Sequence, residues 1–130
     1  LKRWAAAERK PSLARHNLAV KNVTTLSLLV LAALLETGGD AMVRMGLRTP
    51  SFSARAIWWI AGAVVLFSYG WVVNAPDWDF GRLLGVYVVI FFAVAQILSW
   101  AVFGQKPGVP VLLGGALIFA GGAVITLWRV

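Results

Sequence analysis

The chain has 130 residues, 60% of them hydrophobic and only 13% charged, with a mean hydropathy of +0.80. A soluble domain carries roughly twice that share of charge, so a soluble fold is excluded and a single integral membrane unit is expected. Without cysteine there are no disulfides, thiolate metal sites or cysteine nucleophiles, and the lone His16 offers no histidine metal site, so no metal or cofactor is expected.

The formal net charge of +7 is gathered at one end. Lys2, Arg3, Arg9, Lys10, Arg15 and Lys21 all precede the first apolar stretch. A basic segment beside a membrane span holds to anionic headgroups and sets orientation, which points to the lipid bilayer as partner and away from nucleic acid. Residues 1–22, with Trp4 and an alanine run, are predicted as a juxtamembrane segment forming a short amphipathic helix on the membrane surface. The same acid-poor composition occurs in organelle transit peptides, but their serine richness is missing.

A spanning helix needs about 20 apolar residues, and four such stretches follow, at about 23–43, 56–73, 83–103 and 111–128. Polar breaks with prolines at 50, 76, 107 and 110 separate them. The runs lack the period-two alternation of barrel strands. The predicted fold is therefore an all-α, four-transmembrane-helix bundle over residues 23–130.

The first span holds Glu36, with Asp40 and Arg44 following at i+4 and i+8. A charge at the centre of a spanning helix costs roughly 2.5–3.5 kcal/mol on insertion scales, so such residues usually face a cavity and mark an ion or substrate path. Residues four apart share a helix face, so Ala32, Glu36, Asp40 and Arg44 form one stripe, with small Ala32 and Gly39 leaving room beside the carboxylates. A carboxylic acid held in hydrocarbon that releases its proton when a cation arrives is the simplest device for proton-coupled cation transport. Asp40 is placed to share the cation or to be neutralised by Arg44, itself an anchor at the membrane edge. The plainer alternative for Glu36 is a structural polar contact between helices.

The second span opens with Trp58 and Trp59, and Trp71 and Trp78 flank its end, as expected of headgroup anchors; Trp128 closes the fourth span in the same way. Tyr69 in the second span and Tyr87, Gln96 and Ser99 in the third are polar groups in apolar surroundings. Each is a candidate cavity liner or interhelical hydrogen-bond partner. Gln96 and Ser99, at i and i+3, share a face, and Trp100 is a further candidate for the binding site. The fourth span carries GGALIFAGG. Gly114 and Gly121, like Gly115 and Gly122, lie two turns apart, a stripe of small residues that lets another backbone approach closely, in a dimer or within one bundle. No nucleophile–base pair, P-loop, dinucleotide fingerprint or zinc spacing occurs, and no enzymatic activity is expected. Apart from the basic N-terminal segment, Arg44, Arg48, Arg55 and Lys106 on one side oppose Arg82 and Arg129 on the other. So even a balance suits insertion in both orientations.

AALLETGG in the first span resembles the small multidrug resistance transporters, as does ILSWAVFGQKPGVPVLLGGALIFAGGAVI. The chain also resembles the related YnfA-like family of small four-helix inner-membrane proteins. In that family an FEIGG-like segment, a YG pair, an FGR and a G-x-Arg/Lys-Pro loop are typical. Here LETGG, Tyr69-Gly70, Phe80-Gly81-Arg82 and Gly104-Gln105-Lys106-Pro107 stand in those places, and the likeness covers about residues 32–127. It implies a multi-pass protein of the bacterial inner membrane, with Glu36 as the proton- and cation-binding carboxylate. It also implies a homodimer, antiparallel in the best-known relatives. The helix-three cavity residues of the drug transporters are not preserved, Tyr87 and Phe91 occupying that region, so the substrate does not carry over. The leading expectation is proton-coupled efflux of small cations; the alternative is a non-transporting subunit packed in a larger membrane complex.

Overall fold

A computed structural model describes residues 11–128. They form four α-helices in chain order: α1 (Pro11–Arg48), α2 (Phe52–Val73), α3 (Phe80–Phe103) and α4 (Val109–Leu127). All four are long and apolar enough to cross a membrane, giving the all-α, four-helix membrane protein that the hydropathy pattern predicts.

The boundaries differ from the apolar runs at both ends of α1. At 38 residues this helix is about 57 Å long, nearly twice the hydrocarbon thickness. Residues 11–22 continue it without a break, so over these residues the structure has an extension of the spanning helix where a separate surface helix is predicted; residues 1–10 lie outside the described residues. At its other end α1 runs through Arg44 to Arg48, where a polar break is predicted. Hydropathy measures only the apolar length of a helix, whereas arginine, methionine and leucine sustain helical backbone beyond it. Pro50 disfavours helical geometry at the residue before it, and the connection shrinks to residues 49–51. Arg55 reinforces it by donating to the Thr49 carbonyl at 3.0 and 3.2 Å.

Helix order in space is α2–α1–α3–α4: α1 packs on α2 and α3, and α4 packs on α3 alone. Glycines set the close contacts. A Cβ at Gly39 would lie 2.7 Å from Leu66 and 3.3 Å from the Gly62 carbonyl, and one at Gly62 would lie 2.9 Å from Val43. α1 and α2 therefore cross nearly backbone to backbone. Between α3 and α4, Gly115 takes the Phe92 ring and Gly122 takes Val89. The buried core of Leu29, Ala32, Ala33, Val73, Leu83, Val86 and Tyr87 lies where α1, α2 and α3 converge.

The glycines of α4 do not form the single stripe that the sequence suggests. Gly115 and Gly122 are buried against α3, whereas nothing lies within 4 Å of a Cβ at Gly114 or Gly121. Successive residues on a helix are about 100° apart, so each adjacent pair splits between an inner and an outer face. The inner glycines serve packing within the bundle, and the outer ones leave an unoccupied strip.

Candidate functional site

Glu36 lies midway along the buried face of α1, one turn beyond fully buried Ala32. The small side chains of Ala32 and Ala33, both 0% exposed, let α3 approach closely enough for Tyr87 to reach the carboxylate. The Tyr87 hydroxyl donates a hydrogen bond to Glu36 Oε2 across 51 residues of sequence. Tyr69 of α2 stacks on Tyr87 with ring centroids 6.0 Å apart and planes inclined by 24°. Phe91, one turn along α3, has its ring centroid 6.0 Å from that of Tyr87, the planes tilted by 40°. Although α2 and α3 make no backbone approach of their own, the tyrosine pair links them beside the core contacts of Val73, Leu83 and Val86. Glu36 is thus half-buried, capped by a hydroxyl and walled by rings. Among the described residues, no buried side-chain nitrogen or oxygen lacks a hydrogen-bond partner.

One turn towards the α1 C-terminus, a cavity of about 410 Å³ opens between α1 and α3, lined by Thr37, Asp40, Arg44, Phe91, Ser99, Gln105 and neighbouring apolar side chains. Buried Thr37 bonds back to the Ala33 carbonyl at 2.7 Å, which leaves its methyl for the cavity wall. Asp40 is exposed to the cavity. The Arg44 guanidinium lies over the Phe103 ring, 5.2 Å from its centroid, a cation–π contact. Among the described residues it forms no ion pair with Asp40.

The outer end of the cavity is shaped by the end of α3. Gly104 adopts φ 65°, ψ 12°, a left-handed conformation that favours glycine. Its N–H bonds to the Trp100 carbonyl at 3.0 Å, the 5→1 bond of a left-handed helix stop, and the Gln105 N–H bonds to the Ser99 carbonyl at 3.1 Å. This turn brings Gln105 back against the helix end, where its Oε1 accepts from the Ser99 hydroxyl at 3.3 Å.

Of the residues singled out from sequence, the structure brings Glu36, Tyr69 and Tyr87 into one cluster and sets Asp40 in the adjoining cavity. Gln96 and Ser99 part company. Ser99 lines the cavity, whereas half-buried Gln96 continues the register of Gly85, Val89 and Phe92 that packs on α4. Trp100, 58% exposed, does not line the cavity either. Thr37, Phe103 and Gln105 were not singled out by sequence patterns. For Gln105 a signal existed, since a glycine closing an apolar helix marks a stop whose next residue turns back on the last helical turn.

A model described as the uncharacterised BCR, YnfA/UPF0060 family matches residues 22–129. Curated relatives share the pattern. A UPF0060 membrane protein of Nocardia farcinica is 41% identical over 105 residues, covering 78% of this chain and 89% of its own. One of Saccharopolyspora erythraea is 39% identical over 100 residues, covering 75% and 87%. One of Mycolicibacterium vanbaalenii is 38% identical over 107 residues, covering 79% and 94%. No solved structure matches. With a family model spanning all four helices and relatives that align over most of their length, the chain belongs to the YnfA/UPF0060 family of membrane proteins.

Proposed function

We propose that the protein is a proton-coupled exporter of small organic cations in the bacterial inner membrane, with Glu36 as the group at which protons and substrate exchange. The observation that carries this reading is the hydrogen bond from the Tyr87 hydroxyl to half-buried Glu36, next to an open cavity. A hydroxyl aimed at a carboxylate supports the ionised form with a charge-assisted bond. Protonation neutralises the same group when no cation is present. Tyr69, stacked on Tyr87, supports the ring that carries this hydroxyl. Asp40, exposed in the cavity lining, draws the substrate to within a turn of Glu36.

Exchange follows because one carboxylate cannot hold a proton and a cation together. A homodimer suits this chemistry, with a Glu36 from each copy facing a shared path. The uncovered outer strip of α4 around Gly114 and Gly121 supports such a pairing. In proteoliposomes with an imposed pH gradient, wild-type protein is expected to drive cation flux and Glu36→Gln to abolish it. Equal flux through both would refute the proposal.

A further inference from the structure

The cavity beside Glu36 carries two opposite charges that are not in direct contact with each other. Asp40 and Arg44 both line it, one turn apart on α1. Arg44 is held over Phe103 rather than turned onto Asp40. Hydrogen-bonding groups are sorted along the cavity in the same sense. The acceptor-only carboxylate of Asp40 is nearer Glu36. The donor-only guanidinium of Arg44 is nearer the end of α3, together with Gln105. Because Gln105 spends its Oε1 on the Ser99 hydroxyl, its amide N–H groups remain to donate.

We propose that this cavity selects zwitterions: substrates with an ammonium group directed to Asp40 and a carboxylate, or another anionic group, directed to Arg44 and Gln105. The inference rests on the exporter reading and names the substrate class of the same site. A bare cation at Asp40 would meet the like charge of Arg44 about 6 Å further along the helix. At an effective dielectric near 20 that repulsion is worth roughly a hundredfold in affinity. An anionic group on the same molecule converts it into attraction and accepts the guanidinium's paired N–H bonds. One helical turn is also a span that an amino acid or a short ω-amino acid can bridge with its two charged ends.

The test uses matched pairs, each an amine and its carboxylate-bearing counterpart: choline with betaine, histamine with histidine, and putrescine with ornithine. Proton-coupled transport of each is measured in proteoliposomes of the full chain. The ratio of the two fluxes cancels differences in folding and reconstitution. Wild-type protein is expected to favour the carboxylated member of at least one pair. Arg44→Gln is expected to lower that ratio about tenfold or more after screening, while Arg44→Lys, which keeps the charge, holds most of it. Glu36-dependent export of the amines with the same ratio in wild type and Arg44→Gln would overturn the zwitterion inference and leave the exporter reading standing. Transport unaltered by Glu36→Gln, or no transport of any pair, would overturn both.

Discussion

Tyr87 does two jobs with separable consequences. Its ring is part of the core, 5% exposed and flanked by Tyr69 and Phe91, and its hydroxyl is the polar partner of Glu36. Tyr87→Phe keeps the ring and deletes the bond. Hydrogen bonds to charged groups contribute about 1.5–3 kcal/mol. Proton-coupled transport is therefore expected to fall by about tenfold or more, together with a lower melting temperature in detergent. A fall in melting temperature with unchanged transport would place the hydroxyl in packing alone. Asp40→Asn should act differently, because Asp40 faces the cavity rather than the tyrosine pair. The Michaelis constant for substrate is expected to rise several-fold, with coupling to protons through Glu36 retained. Glu36 and its stripe were legible from the sequence, since an acid in an apolar span is conspicuous. Its partner was not, because the bond crosses between helices 51 residues apart in sequence, and no periodicity links them. Tyr69 and Tyr87 were each visible as a polar group in a greasy segment, but not as a stacked pair.

At the level of the helices, small residues decide which faces meet. Gly39 and Gly62 let α1 and α2 cross closely, and the crossing fixes the height at which Glu36 stands opposite Tyr69 and Tyr87. Gly62→Leu would force a side chain into Val43 and the Gly39 carbonyl. Overpacking of this kind typically costs about 1–3 kcal/mol, expected as a clear drop in thermal stability. Gly70→Ala, with nothing within 4 Å of the new methyl, should leave the melting temperature unchanged or raise it slightly, since alanine is the better helix former. The helices themselves were legible because hydropathy and prolines mark them. Their true ends were less so: α1 gains polar turns at both ends that no apolar window includes. The GGALIFAGG segment was recognisable as a packing surface. The rotation of α4 was not, because two adjacent glycines give two candidate faces and only the position of α3 selects between them.

The molecule as a whole is an open row of helices, with α4 held by α3 alone. Its outer strip at Gly114 and Gly121 touches nothing, whereas the inner one at Gly115 and Gly122 is filled. Gly122→Leu is therefore expected to destabilise the isolated protomer through Val89, and Gly121→Leu to leave it intact but split the proposed homodimer. Native mass spectrometry of gently extracted protein distinguishes the two, and a monomer in the wild type would remove the dimer from the mechanism. All of the transport chemistry depends on Glu36 changing its protonation state. The chain has only one other glutamate, Glu8, so ¹³C-labelled glutamate in a Glu8→Gln background reports on Glu36 alone. The expected result is a carboxyl resonance that moves from its neutral to its ionised position between mildly acidic and alkaline pH, with a midpoint displaced by a transported substrate. A resonance fixed at the neutral position across that range, indifferent to substrate, would contradict proton exchange at this site.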